Sequence, residues 1–524
     1  KYFVKCPGSR KNNNMRVVIP MSGTGSRFSE KGYKQIKPLV PVFGVPIIEN
    51  IVKNFSKKDH FIFICRDEHL LNKDLDLRNY LNNIAPNTTV LNVENHKLGP
   101  VHSILQIHQY IDDDDELIIN YCDFDWRWNY EDFQKWLTVE KPAAALCVYS
   151  GFHPHYINPA PYAHIRNQQH NVLEIREKQS FTKYREEEPA ASGTFYFSSG
   201  KLLLDACKWL VKKDDRVNGE FYVSLLFNYF PSKGLRTLTY YINHFMQWGT
   251  PQDLEEFIFF AKKVPLEFKK NLTSTPILIL MAGKGNRMKT IDKVKKPYLE
   301  INKKLLFQLC TGNFKSNKSN IAAINGDKED YRYKKYLKDY QEVIVGETKS
   351  SVETLLLSIY KSKLSDKDPI LILSCDASID LDWNKFMNQQ KNIRDLEGIV
   401  FSFSGYPYAY WNPNQYGWLK LNDDKSIKKI GHKSGWNLDY SNPIVTGHFW
   451  FPSIEKLKTN LEIFHSTLKE KYKEQSIDDF CQFLIETGKK VYSHEVDDFL
   501  CLGTPDEFRT YEYWLESNEI SNIK

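Results

Sequence analysis

The residues best placed to do chemistry fall in two stretches about 260 positions apart. The first reads Met21-Ser22-Gly23-Thr24-Gly25-Ser26-Arg27-Phe28 and is followed by Lys37-Pro38-Leu39. The second reads Met281-Ala282-Gly283-Lys284-Gly285-Asn286-Arg287-Met288 and is followed by Lys296-Pro297-Tyr298. Each comes after an apolar run of strand character, Val17-Val18-Ile19 in one case and Ile277-Leu278-Ile279-Leu280 in the other. A glycine-rich turn that closes such a strand points backbone N–H groups at an anion, and an arginine in the turn adds positive charge. The chemistry this suits is the binding of a phosphate chain. One such turn is a weak signal, because any strand-to-helix turn can require glycine for a positive φ. Its repetition with the same Lys-Pro downstream is a strong one.

Other chemically capable residues repeat in the same order. Leu117-Ile118-Ile119-Asn120-Tyr121-Cys122 reads as a buried strand leading to Asp123, and Ser374-Cys375-Asp376 repeats the ending. Open α/β sheets take their ligands beyond the carboxyl ends of the strands, so Asp123 and Asp376 are the expected metal carboxylates. Ser192-Gly193-Thr194-Phe195 recurs as Thr446-Gly447-His448-Phe449, and Trp248-Gly249-Thr250-Pro251 as Leu502-Gly503-Thr504-Pro505. The offset stays near about 250 to 260, as an internal duplication predicts.

Positioning these groups requires a sheet. From Met15 onward strand patterns at 16–20, 61–65 and 89–93 alternate with helical patterns at 47–55 and 101–111, which predicts a mostly parallel sheet with helices on both faces. Strands at 143–149, 163–165, 172–176 and 194–197 predict a mixed extension carrying the second substrate, and a helix is expected near 201–211. The expected fold is α/β: two tandem Rossmann-like domains, 15–262 and 276–524, joined by a polar, lysine-rich linker at 263–275. Residues 1–14 read as a linker from a longer protein. The acidic run 112–115 and the loop His153-Pro154-His155 are expected to be solvated, the latter because two histidines without a third ligand do not make a metal site.

Composition bounds the function classes. A chain of 524 residues with 41% hydrophobic and 14% aromatic side chains can bury two sizeable cores. The net charge of +6 is the small difference between 71 basic and 65 acidic residues, without a long basic run, so nucleic acid is not implied as a partner. Nine scattered cysteines without a C-x-x-C pair predict reduced thiols and a cytoplasmic location. No apolar stretch approaches the roughly 20 residues of a membrane helix, so no membrane insertion is expected.

The glycine turn, Lys37-Pro38-Leu39, Gly99-Pro100, Cys122-Asp123, Glu177-Lys178, Ser192-Gly193 and Gly249-Thr250-Pro251, taken in order, resemble the sugar-phosphate nucleotidyltransferases, in two full copies. Tyr33-Lys34 and Asn218-Gly219-Glu220-Phe221 are similar to a bacterial branch associated with capsule or surface-polysaccharide precursors. The resemblance implies in-line displacement at the α-phosphate of a nucleoside triphosphate by a sugar-phosphate oxygen, with Mg²⁺ as cofactor and release of pyrophosphate. It implies nucleotide binding by Met21, Ser22, Gly23, Thr24, Gly25 and Gly99, and by Met281, Ala282, Gly283, Lys284 and Gly285. Arg27 and Arg287 would neutralise the leaving pyrophosphate, Lys37 and Lys296 the charge at the α-phosphate, and Asp123 and Asp376 would hold the metal. Glu177, Lys178 and Gly193, with Lys433 and Gly447 in the second copy, would meet the acceptor.

Some positions depart from that pattern. Gln247 and Cys501 stand where a second metal carboxylate is common, which makes Glu220, and Asp478 or Asp479, candidate substitutes. The second copy reads Ser351-Val352 opposite Gly99-Pro100 and His432 opposite Glu177. It is therefore expected to bind a nucleotide and to act on a different acceptor. Three rivals stay open: a glycosyltransferase using Asp123-Phe124-Asp125 as a D-x-D motif, a duplicated fold that binds nucleotide without turnover, and a choline-phosphate or similar small acceptor. By the same analogy the base is expected to be a pyrimidine.

Overall fold

The computed structural model describes residues 14–157, 162–391, 393–432, 442–467 and 475–522. The chain divides between Ile258 and Phe259 into two compact units. Numbering only the strands of the two large sheets, the first unit has β1 (Arg16–Pro20), β2 (His60–Arg66), β3 (Thr88–Val93), β4 (Leu117–Asn120), β5 (Ala144–Tyr149), β6 (His164–Gln168), β7 (Asn171–Arg176), β8 (Ala190–Phe197) and β9 (Thr237–Tyr241). The second has β10 (Ile277–Leu280), β11 (Asn320–Ile324), β12 (Gln341–Ile344), β13 (Ile370–Ser374), β14 (Leu396–Phe403), β15 (Gly417–Leu421), β16 (Ile427–His432), β17 (Ile444–Phe451) and β18 (Lys490–Glu495).

The spatial order is β3-β2-β1-β4-β8-β5-β9-β7-β6 in the first sheet and β12-β11-β10-β13-β17-β14-β18 in the second, where β15 pairs with β16 and β17. Adding nine to each of the first seven strand numbers of the first sheet reproduces the second, and the β15–β16 and β15–β17 pairings repeat β6–β7 and β6–β8. Directions agree as well: β1, β2, β3 and β4 run parallel, as do β10, β11, β12 and β13. β8 is antiparallel to β4 and β5, and β17 to β13 and β14. Both units are therefore mixed α/β sheets built to one plan.

The parallel strands are apolar on both faces because helices cover both sides. Val17, Val18, Ile19, Ile118 and Ile119 are buried, as are Ile277, Leu278, Ile279, Leu371 and Ile372. A helix needs a stop and a cap as well as an apolar face, and this shortens some of those expected. The helix begun at Pro100 ends at Gln106, and a single tight turn at His108–Tyr110 replaces its expected last residues.

Stretch 263–275 is part of the second unit. Asn271–Thr273 pairs in parallel with Phe314–Ser316, Leu266 N donates to Tyr511 Oη at 3.0 Å, and Lys263 forms an ion pair with Asp498. Its lysine-rich composition reports exposed side chains on a backbone that is already paired. The acidic run is also less uniform than expected: Asp115 turns inward to Arg16 at 2.5 Å, while Asp112 stays exposed. His153 and His155 are not solvated. Both are buried, with the His153 ring bonded to Phe245 O at 2.9 Å and the His155 ring to Tyr149 Oη at 3.1 Å.

Candidate active site

In the first unit the glycine turn leaves β1 and enters the short helix Ser26–Glu30, with Gly25 at its N-cap and φ at 63°. Only glycine takes that backbone without strain, and a side chain there would also lie 3.2 Å from Lys37 Cβ. Gly25 thus lets the turn close onto the Lys-Pro segment. Gly23 faces open space, with nothing within 4 Å of a Cβ built on it. Arg27 is exposed beside it and has no ion-pair partner among the described residues.

A polar chain braces the turn from behind. Ser22 Oγ meets Ser103 Oγ at 2.7 Å, and Ser103 Oγ meets His96 Nε2 at 2.9 Å. Leu98 N donates to His96 Nδ1, so Nε2 carries the proton and donates to Ser103. Gly99, with φ at 83°, packs against Glu220 and Phe221; a Cβ there would fall 2.9 Å from the Phe221 backbone. The Gly99-Pro100 and Asn218-Gly219-Glu220-Phe221 motifs, far apart in sequence, are thereby one structural feature.

Asp123 lies just past β4. Its Oδ2 accepts from Lys37 Nζ at 2.8 Å, its side chain is 35% exposed, and Oδ1 has no hydrogen bond among the described residues. Trp248 N donates to Asp123 O at 2.9 Å, which brings Gly249 beside the carboxylate. Gln247, at the position of the missing second carboxylate, donates instead to Asp253, which also caps Thr250 N at 3.1 Å. A half-exposed carboxylate oxygen with no protein partner fits a hard cation. Among the described residues no cluster of three His, Cys, Asp or Glu side chains forms a ready-made metal site. A cation at Asp123 would take its other ligands from phosphate oxygens and water.

The opposite wall is made by Glu177, Lys178 and Tyr222. Ser224 Oγ donates to Glu177 at 2.5 Å, and burial pushes that carboxyl up to about 7, against the pull of Ser224 and Lys178 and with a push from Glu220. Lys178, held at φ 55° with its N–H on Tyr162 O, donates from Nζ to Tyr222 Oη at 2.7 Å. Tyr222 in turn donates to Glu220. Glu220 therefore stands with Lys178 on this wall, engaged by Tyr222. Gly193, with φ at 105°, sits in the β8 bulge, and a Cβ there would lie 2.6 Å from the Phe124 ring. Phe124 fills the space that glycine leaves.

The second unit repeats the frame with different fittings. Gly285 is the left-handed N-cap at φ 56°, and a Cβ there would strike Lys296 Cβ at 2.8 Å. Lys296 pairs with Asp376, and Ser374 Oγ donates to the other carboxylate oxygen. Burial would raise the Asp376 carboxyl, but Lys296 and Ser374 outweigh it and hold it at about 2. The helix Ser351–Lys361 has Ser350 as N-cap, so Ser350 rather than Ser351 is the counterpart of Gly99. Its extended backbone and its bond to Glu353 N at 3.0 Å replace the left-handed glycine. Lys284 pairs with Glu347 across the turn, and Thr348 with Thr354 where the first unit has His96 and Ser103. Gly447, with φ at 79°, lies 3.6 Å from Ser374 by its would-be Cβ. Asp479 is spent capping Ser476 N, and Asp478 Oδ2 lies near Gly417. Lys433 lies outside the described residues, and His432 ends β16.

A model of the family described as nucleotidyl transferase matches residues 16–234 and again residues 277–517. The chain belongs to the nucleotidyl transferase family. The sequence matches none of the curated proteins with which it was compared. Similar solved structures include a nucleoside-diphosphate-sugar pyrophosphorylase from Vibrio cholerae RC9, 18% identical, covering 46% of this chain and 99% of that one at a TM-score of 0.39. The inositol-1-phosphate CTP transferase from T. maritima is 13% identical, covering 46% and 92% at 0.36. A UDP-glucose pyrophosphorylase complexed with UDP-glucose is 14% identical, covering 46% and 96% at 0.38.

Three tyrosines of this nucleotidyl transferase escaped the sequence reading. Tyr162, just ahead of β6, brings its hydroxyl within 3.9 Å of the position a Gly249 Cβ would take, and burial with the charges of Asp253 and Asp123 raises its pKa. Tyr222 joins Lys178 to Glu220, and Tyr121 Oη accepts from Val223 N at 3.1 Å. Tyr121 and Tyr222 flank motifs that the sequence does mark, so proximity to Asp123 and Glu220 was the available signal. Asp125 is tied to Asn54 at 2.6 Å and to its neighbour's N–H, so the D-x-D reading finds no second free carboxylate. Among the described residues no helix is long and apolar enough to cross a membrane. The eight described cysteines are all free, and buried or half-buried.

Proposed function

We propose that the first domain transfers a nucleotidyl group from a nucleoside triphosphate to a sugar phosphate and releases pyrophosphate. The observation that carries this reading is the arrangement around Asp123: an open glycine turn with Arg27, which has no ion-pair partner among the described residues, on one side, Lys37 on the carboxylate itself, and the half-buried Glu177 with Lys178 on the other. Backbone N–H groups of the turn bind the phosphate chain, and Arg27 neutralises the leaving pyrophosphate. Lys37 balances charge at the α-phosphate. Lys178 orients the acceptor phosphate, and Glu177 takes a hydrogen bond from an acceptor hydroxyl. The residue that would hold Mg²⁺ is Asp123, and the cation would supply charge neutralisation between the phosphates.

No side chain needs to act as nucleophile, because the acceptor phosphate is one. A pyrimidine base, a cytoplasmic location and a role in capsule precursors belong to the same proposal; the last rests on Tyr33-Lys34 and the Asn218-Gly219-Glu220-Phe221 turn against Gly99. The test incubates the full chain with Mg²⁺, each of CTP, UTP, dTTP, ATP and GTP, and a panel of sugar 1-phosphates and choline phosphate, and reads pyrophosphate. Release with one NTP and a sugar phosphate is expected. Release only with choline phosphate would replace the acceptor class, and release with no pair would refute the transfer.

A further inference from the structure

The two aspartates at the strand ends are held differently, and one residue makes the difference. In the first domain Lys37 occupies Oδ2 of Asp123, and Oδ1 is without a hydrogen bond among the described residues. In the second, Lys296 occupies Oδ2 of Asp376 while Ser374 Oγ donates to Oδ1. Side-chain exposure falls from 35% at Asp123 to 14% at Asp376.

The residue opposite Ser374 is Tyr121, because both sheets share one register: Ile118 pairs with Val17, and Leu371 with Ile277. Tyr121 spends its hydroxyl on Val223 N and leaves Asp123 alone. Serine is short enough to fold back on the carboxylate two residues on. Among the described residues no cluster of three His, Cys, Asp or Glu side chains supplies another ligand. Glu507, which caps Thr504 N at 3.1 Å, is fully buried and takes hydrogen bonds from Tyr406, Tyr416 and the Thr504 hydroxyl.

A small hard cation needs oxygen lone pairs in near-octahedral array and gives up its water reluctantly. To reach Asp376 it would have to displace a hydroxyl or an ammonium already bound. We propose that Ser374 closes the second domain to a divalent cation, so that the chain holds a single metal-assisted centre, in the first domain. The inference rests on Asp123 as the cation ligand there. The second domain keeps its open turn at Gly283 and its exposed Arg287, and is a copy without metal-assisted transfer.

Backbone cleavage by Fe²⁺ with ascorbate, applied to the full chain without nucleotide, locates bound cations by fragment size. Cuts near Asp123 and Gly249 are expected in the wild type, with none near Asp376 and Gly503. Ser374→Ala should add the second pair of cuts, whereas Ser374→Thr, which keeps the hydroxyl, should not. Cuts near Asp376 in the wild type, or none gained in a folded Ser374→Ala chain, would overturn the inference. Missing cuts near Asp123 would instead remove the cation from the proposed first site, and the Ser374→Ala chain would still decide the closure of the second.

Discussion

Glu177 shows how burial sets the charge of a site residue. In the folded chain its carboxyl is raised from 4.5 to about 7, so the folded state binds the proton more tightly than the unfolded chain. That contribution to stability is full below pH 4.5 and is lost as pH rises through about 7. At 1.36 kcal/mol per pH unit the loss reaches about 3 kcal/mol, and Glu177→Gln should not show it. Urea unfolding of both chains at either end of this window is the measurement, and equal pH dependence would refute the burial argument. Asp376 is the opposite case, a mostly covered carboxylate kept ionised by Lys296. Asp376→Asn leaves that ammonium without its counter-charge, and a loss of about 3 kcal/mol in the second domain is expected by chemical denaturation. Arg27, Lys37 and Asp123 were legible because their motif fixes both type and place. Ser374, Tyr162 and Tyr222 were not, because their contacts follow from side-chain reach across the fold, which spacing does not encode.

The turns explain why glycine stands where it does, and the reasons differ. Gly23 faces open space, Gly25 makes room for Lys37, and Gly99 makes room for Phe221. Gly193 belongs with the packing cases: its φ of 105° and the Phe124 ring at 2.6 Å both exclude a side chain. Gly193→Ala should therefore lower the stability of the first domain by about 1–3 kcal/mol. An unchanged denaturation midpoint would show that β8 and Phe124 yield without strain. From the sequence all four glycines read alike, as close approach to substrate, since a motif records that no side chain is tolerated and not what takes its place. Helix starts had a similar limit: Ser350 and Ser351 are equally plausible caps in sequence, and only the bond to Glu353 N separates them.

The duplication was the most legible property of the whole molecule, because two chains of strands built to one plan must repeat their turn motifs in order. The structure carries this further: the order and direction of the first seven strands match, and so does the bulge between β5 and β8 and between β14 and β17. What repeats is the frame. The side chains around the turn and the strand end have diverged, from Thr24 to Lys284, which pairs with Glu347, and from Tyr121 to Ser374. The mixed character of each sheet was foreseen, while the place of 263–275 in the second unit was hidden by its polar composition. The account as a whole turns on Asp123 as the residue around which transfer is organised. Its most direct test is the initial rate of Mg²⁺-dependent pyrophosphate release by Asp123→Asn, measured on full-length chain with the nucleotide and acceptor that the wild type uses. A fall of at least about 10²–10³-fold in a chain that remains folded is predicted. A rate near that of the wild type would contradict it.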